Sequence, residues 1–169
     1  MKYLVVYDSK TGNTEKIAKE ILSAIPEAQK EIKKVSEFTG NEDADVIFVG
    51  FWTNRSTCPM SVVNALELMT EKKIALFGTC GMGGSEEYYD SIKKNVEAWL
   101  PEECEYLGCY LCQGKMPESV LHKYEQMEGK VPKEQLEAMI QNYHAAKTHP
   151  DSKDLLDAGK FVKDIVMKY

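Results

Sequence analysis

The sequence predicts an α/β fold, a doubly wound five-stranded parallel sheet with the strand order 2-1-3-4-5, as one domain over residues 1–169. Short apolar runs, typical of strands buried on both faces, alternate with amphipathic helical patterns. That alternation requires a parallel sheet with helices on both faces, and right-handed crossovers leave few strand orders for it. No internal repeat or linker divides the chain, which indicates a single domain.

Five apolar runs predict the five strands. The first is Lys2–Tyr7, and the third, Asp45–Phe51, is equally strong. A weaker second strand is expected from about Ala28 to Lys34. Ile74–Gly78 and roughly Cys104–Cys112 complete the sheet.

Apolar residues at helical spacing predict the crossover helices. The first helix begins at Asn13 and is closed by Pro26, and the second runs over Pro59–Met69. Ser85 is expected to cap the third helix, whose core face includes Trp99. The last helix starts at Asp151.

A helical insert precedes that last helix, over about residues 114–150. Its first helix is expected over roughly 118–127, and its second starts near Pro132. The second helix carries apolar residues at helical spacing: Leu136, Met139, Ile140 and Tyr143.

The composition excludes several classes of protein. Hydrophobic residues make up 43% and charged residues 28%, which is ordinary for a globular protein and unlike a disordered one. The net charge of −6 argues against nucleic acid as the main partner. It fits docking onto a basic protein face, or it simply maintains solubility. We find no apolar run of about 20 residues and no secretory signal at the N-terminus, so we expect no membrane partner and a cytoplasmic location.

The cysteines indicate a reducing compartment rather than a disulfide framework. There are five of them, an odd number, and two form a C-x-x-C at Cys109 and Cys112. Positions three apart on a strand point to opposite faces, which makes a disulfide or shared metal ligation difficult. We therefore expect no metal site.

The loop after the first strand has the composition of a phosphate site. Ligands of such sheets bind beyond the carboxyl ends of the strands, where the strand order reverses. Here a helix N-terminus, with its free N–H groups, follows a run of hydroxyl and amide side chains and one glycine. The run consists of Ser9, Lys10, Thr11, Gly12, Asn13 and Thr14. The alternative is that these residues only cap the helix.

Ser9-x-Thr11-Gly12-Asn13-Thr14 directly after a first strand resembles the FMN phosphate loop of the flavodoxin family. The resemblance covers nearly the whole chain and weakens in the insert, which follows the fifth strand instead of interrupting it as in long-chain flavodoxins. The chain is similar to a flavodoxin-like branch found mainly in anaerobic bacteria. The resemblance implies FMN as the cofactor and redox proteins, a reductase and an acceptor, as partners. We expect a monomer or a weak homodimer.

The loop after the third strand is expected to contact the flavin. It contains Phe51, Trp52, Thr53, Asn54 and Arg55. By position in the family, Trp52 is expected to stack on the isoalloxazine ring. Arg55, the only arginine in the chain, lies near the flavin, binds a partner carboxylate, or is simply an exposed loop residue.

The loop after the fourth strand is rich in glycine, which suggests backbone close to a ligand. It contains Thr79, Cys80, Gly81, Met82, Gly83 and Gly84. In flavodoxins a peptide flip in this loop stabilises the reduced N5–H, and Gly81 and Gly83 are the candidates here. Met82 covers the outer face of the flavin or leaves it partly open; Tyr88, a common outer stacker by type, lies a turn into the helix. No basic neighbour activates Cys80.

Gln113 ends the fifth strand and is placed by the resemblance near the pyrimidine edge of the ring, or else forms a simple turn. The three histidines, His122, His144 and His149, lie in the insert, away from the first three loops. No catalytic residue is therefore expected, and electron transfer is the leading function. The alternative is an FMN-dependent reductase, or a reductase subunit, acting on a small acceptor.

Overall fold

The computed structural model describes residues 1–26, 29–83 and 85–169. Its five strands form one parallel sheet in the order β2-β1-β3-β4-β5, which confirms the predicted architecture. Ala28, at the predicted start of the second strand, lies outside the described residues. The strands are β1 Tyr3–Tyr7, β2 Lys30–Lys34, β3 Val46–Trp52, β4 Lys73–Cys80 and β5 Glu105–Gln113.

Helices cover both faces of the sheet. They are α1 Asn13–Ala24, α2 Met60–Leu66, α3 Glu86–Glu97, α4 Glu118–Glu125, α5 Lys133–Ala146 and α6 Ser152–Val166. Side chains of α1 and α6 join one buried apolar cluster, and side chains of α2 and α3 join a second one. The two clusters form the core on either side of the sheet. None of the described helices combines the length and apolarity that crossing a membrane requires.

The helix ends follow their local sequence. The Ser85 side chain accepts a hydrogen bond from the backbone N–H of Tyr88, as predicted for the cap of α3. Asp151 caps α6 and forms a reciprocal capping box with Asp154. The prediction that Trp99 belongs to a core face is wrong, because α3 ends at Glu97 and the Trp99 side chain is 44% exposed.

The two cysteines of the C-x-x-C point to opposite faces of β5. Cys112 is buried in the cluster beneath α1 and α6, and Cys109 packs against the cluster beneath α2 and α3. Both thiols are free. This confirms the expectation that they do not share a face.

The insert forms two helices that pack on each other, α4 and α5. Three side chains of α5 are buried: Leu136, Tyr143 and Ala146. The backbone N–H of Lys115, at the start of the insert, donates to the carbonyl of His149 near its end. The insert thereby closes on itself beside the carboxyl end of β5.

Candidate functional site

A cavity of about 440 Å³ lies at the carboxyl ends of the strands, where the topology places a ligand site. The loops after β1, β3, β4 and β5 contribute to its wall together with α4 of the insert. Its described lining is Lys10, Thr11, Asn13, Trp52, Thr53, Arg55, Ser56, Thr79, Cys80, Gly81, Met82, Tyr88, Gly114, Lys115, Met116, Pro117, Val120 and Tyr124.

Most of the predicted site residues line this cavity. Those that do not line it in the described part of the chain are Ser9, Gly12, Thr14, Phe51, Asn54, Gly83 and Gln113. Phe51 is fully buried because its ring fills the space beside Gly78, where an added Cβ would lie 2.6 Å from the ring. Gly84 lies outside the described residues.

The loop after β1 ends in a helix N-terminus with free donors. Gly12 precedes α1 with a φ of 93°, a left-handed conformation that favours glycine, and its N–H donates to Ser9 Oγ at 3.1 Å. In the described part of the chain, the N–H groups of Asn13, Thr14 and Glu15 have no acceptor. Three unpaired N–H groups at the positive end of a helix favour an anion such as a phosphate.

Two side chains of this loop hold it against its neighbours. The Thr14 hydroxyl is buried and lies 2.9 Å from the Thr79 hydroxyl at the end of β4. Asn13 Nδ2 donates to the carbonyl of Lys115 at 2.8 Å, which ties the loop to the start of the insert. These contacts fix the position of the free N–H groups relative to the rest of the cavity.

Trp52 forms the aromatic wall at the end of β3. Its side chain lines the cavity, and Lys10 Nζ lies 5.0 Å from the ring centroid, within cation–π distance. The loop after β1 and the loop after β3 are therefore joined by this contact. An indole at this wall suits a flat conjugated ligand ring.

A tight turn follows Trp52. Asn54 and Thr57 exchange backbone hydrogen bonds of 2.7 and 3.1 Å, and the two residues between them, Arg55 and Ser56, have positive φ values of 50° and 65°. Left-handed backbone costs a non-glycine residue about 1–2 kcal/mol. This turn therefore stores strain at the edge of the cavity.

One side chain near the end of α3 and one just beyond the helix support that strained turn. Asn95 Nδ2 donates to the carbonyl of Ser56 at 2.8 Å. Trp99 Nε1 donates to Thr57 Oγ1 at 3.4 Å. The half-exposed indole thus stabilises the cavity edge instead of the core.

Thr53 carries an orphaned polar atom. Its Oγ1 is buried and has no hydrogen-bond partner in the described part of the chain, whereas its N–H donates to the Thr79 carbonyl at 2.9 Å. A buried hydroxyl without a partner is costly. Because Thr53 lines the cavity, a polar ligand there could supply the missing partner.

The loop after β4 is closely packed by longer side chains. A Cβ on Gly81 would lie 2.5 Å from Met116 Sδ, and a Cβ on Gly83 would lie 2.6 Å from Gln113 Cδ. Close approach of these neighbours therefore explains both glycines. Burial raises the pKa of the Cys80 thiol to about 12, which keeps it protonated and unreactive near neutral pH.

The insert supplies wall residues that the sequence interpretation did not name. Val120 and Tyr124, one helical turn apart on α4, line the cavity together with Met116 and Pro117. Burial raises the pKa of Tyr88, and the neighbouring Cys80 and Tyr124 raise it further. The i, i+4 spacing of Val120 and Tyr124 was the available signal, but it does not reveal what that face contacts.

The cavity is positively charged although the protein is acidic. Lys10, Arg55 and Lys115 line it, and no carboxylate or histidine occurs in its described lining. The net charge of the whole chain is −6. Local charge and helix dipole therefore both favour an anionic ligand in the cavity.

A second cleft, of about 590 Å³, lies at the opposite, amino end of the strands. Its lysines and carboxylates pair with one another, as in Lys2 with Asp43 and Lys33 with Glu42. Parallel sheets of this type bind ligands at the carboxyl end. The smaller cavity is therefore the candidate site.

Comparison with known proteins agrees with this geometry. The model of the flavodoxin domain family matches residues 4–163. A curated relative, the flavodoxin-like domain-containing protein BilS of Clostridioides difficile strain CD3, is 37% identical over 99% of this chain and 98% of its own.

Solved structures share the fold. A flavodoxin of Streptococcus pneumoniae TIGR4 superposes with a TM-score of 0.65 over 100% of both chains at 12% identity. A flavoprotein of Lactobacillus acidophilus NCFM, solved in complex with FMN, gives a TM-score of 0.52 over 72% of this chain and 97% of its own, at 18% identity. With the sheet order, the loop after β1 and the family match taken together, the chain belongs to the flavodoxin domain family.

Proposed function

We propose that the protein binds FMN in the cavity at the carboxyl ends of the strands and transfers electrons between redox partner proteins. The observation that carries the proposal is the joining of two features in one cavity. The loop with three unpaired helix N–H groups forms one part of it, and the aromatic side chains of Trp52, Tyr88 and Tyr124 line another. A phosphate on a flat conjugated ring suits both.

The polar groups of the cavity fit FMN as well. Lys10 and the helix N-terminus would hold the phosphate, and the unpartnered Thr53 hydroxyl would gain a hydrogen-bond partner. FMN is also the ligand of the Lactobacillus acidophilus flavoprotein that shares this fold. When bound, FMN supplies the redox chemistry, whereas the protein binds and orients it and sets the polarity around it.

The lining favours electron transfer over acid–base catalysis. Its described residues include no histidine or carboxylate, and the thiol of Cys80 is held protonated by burial. Side chains of these types are the usual proton carriers in enzymes. Electron transfer to a partner protein needs none of them.

A flavin titration tests the proposal. FMN should bind to the FMN-free protein with loss of flavin fluorescence, and riboflavin, which lacks the phosphate, should bind at least about a hundredfold more weakly, because hydrogen bonds to a charged group contribute about 1.5–3 kcal/mol each. Thr11→Ala should weaken FMN binding, whereas Thr39→Ala, at the other end of the sheet beside Glu42, should not. Equal affinity for FMN and riboflavin would contradict the phosphate assignment.

A second function is favoured by one observation, the wall that α4 adds to the cavity. Val120 and Tyr124 could enclose a small acceptor beside the flavin, as in an FMN-dependent reductase or reductase subunit. Steady turnover of a nicotinamide cofactor and a small acceptor without added proteins would favour the reductase. Electron exchange that depends on an added redox protein would favour the carrier.

A further inference from the structure

One side chain of the insert is bonded to the loop after β4. Asn142, on α5, donates from Nδ2 to the carbonyl of Gly81 at 3.0 Å. Its Oδ1 accepts from the backbone N–H of Gly83 at 3.1 Å. One amide group thus spans the three residues 81–83.

The orientation of the Asn142 amide is fixed by these partners. A backbone N–H only donates and a carbonyl only accepts, so Oδ1 must face Gly83 and Nδ2 must face Gly81. Gln113 reinforces the arrangement, since its Nε2 donates to the Gly81 carbonyl and to Asn142 Oδ1, both at 3.0 Å. The three groups form a connected hydrogen-bond network.

This network occupies the Gly81 carbonyl with two donors. Gly81 and Met82 line the cavity, but Gln113 and Asn142 do not belong to its described lining. Both donors to the carbonyl therefore come from residues outside that lining. Turning the carbonyl into the cavity would break two hydrogen bonds of 3.0 Å.

We propose that Asn142 is a positioning residue, which sets the conformation of residues 81–83 and holds the Gly81 carbonyl away from a ligand N–H donor. The effect on a ligand rests on the proposed function, because a flavin that gains an electron and a proton carries an N–H at N5. Asn142 raises the cost of pairing that N–H with Gly81. The insert thereby acts on the cavity through α5 as well as through the wall of α4.

Hydrogen exchange of the FMN-free protein tests the positioning role without any cofactor. Asn142→Ala should speed exchange of the Gly83 amide by at least about fivefold, the value of one ordinary hydrogen bond. Asn142→Asp keeps an acceptor for Gly83 and should preserve most of the protection. Gln141→Ala, an exposed neighbour on the same helix, is the matched control. Unchanged Gly83 exchange in folded Asn142→Ala protein would overturn the proposal.

Stepwise reduction of the FMN-loaded protein tests the effect on the carbonyl. Asn142→Ala and Asn142→Asp both remove the donor to Gly81, so the equilibrium constant for forming one-electron-reduced flavin should rise by about fivefold in each. Gln141→Ala should leave it unchanged. No rise in either Asn142 variant would overturn the carbonyl role. If FMN does not bind at all, the proposed function fails, and Gly83 exchange still decides the positioning role.

Discussion

Replacing Thr53 with valine tests the contribution of the unpaired hydroxyl in the cavity wall. Valine nearly keeps the shape of threonine and replaces the Oγ1 hydroxyl, which is buried without a partner in the described part of the chain, with a methyl group. An unsatisfied buried hydroxyl costs about 1–3 kcal/mol, so Thr53→Val should raise the free energy of unfolding of the FMN-free protein by about that amount. For a protein of this size that corresponds to a rise in Tm of several degrees, about 2–4 °C per kcal/mol.

The same substitution should have the opposite effect on FMN binding. If the hydroxyl gains a partner from the ligand, its loss should weaken FMN binding by about fivefold or more. Urea denaturation of the FMN-free protein and fluorescence titration with FMN measure the two effects separately. Thr53→Val should therefore raise the free energy of unfolding and lower the affinity for FMN.

Thr79→Val is the matched control. The Thr79 hydroxyl is buried but paired with Thr14 at 2.9 Å, so its removal leaves Thr14 unsatisfied and should lower the free energy of unfolding by about 1–3 kcal/mol. A Thr53→Val protein that is also destabilised, or that binds FMN as tightly as the original, would refute the argument.

Three further variants test other parts of the site. Trp52→Ala should restore fluorescence of bound FMN and weaken binding by about tenfold, because a stacked ring contact is lost; unchanged fluorescence would remove Trp52 from the site. Tyr124→Ala should also weaken FMN binding, whereas Tyr169→Ala, three residues beyond the end of α6, should not. Equal FMN affinity in both variants would mean that the insert does not touch the ligand. Cys80→Ala should reduce the loss of stability at alkaline pH. The pKa of the Cys80 thiol is raised to about 12 in the folded protein, so its contribution to stability is fully present below the thiol pKa of the unfolded chain, about 8.5. Above about pH 8.5 that contribution falls by about 1.4 kcal/mol per pH unit, until the pH reaches about 12. Urea denaturation at pH 8 and pH 10 measures that slope, and an identical slope in both proteins would contradict the assigned burial.

The sheet and the start of α1 at Asn13 could be predicted from sequence because their signals are local. Val5 and Phe48 belong to apolar runs that only a doubly buried strand explains, and the structure places both at zero exposure. Gly12 directly precedes α1, and its φ of 93° is a conformation that glycine adopts at little cost. Such features depend on neighbours within a few residues.

The rest depends on contacts between distant segments, which periodicity does not encode. Helical spacing assigned Trp99 to the core, but the helix ends before it and the indole reaches the 54–57 turn instead. Glycine content suggested backbone close to a ligand at Gly81 and Gly83, but it gave no sign that Met116 and Gln113 pack against these two residues. Nothing local in the sequence of Asn142 shows which loop it contacts.

Helix α3 connects the two sides of the cavity as one rigid element. Its first turn carries Tyr88 to the cavity wall, and Asn95, near its other end, holds the strained turn at Ser56. A helix transmits displacement along its length with little bending. Any displacement of α3 would therefore move Tyr88 and the turn at Ser56 together and change the width of the cavity between them.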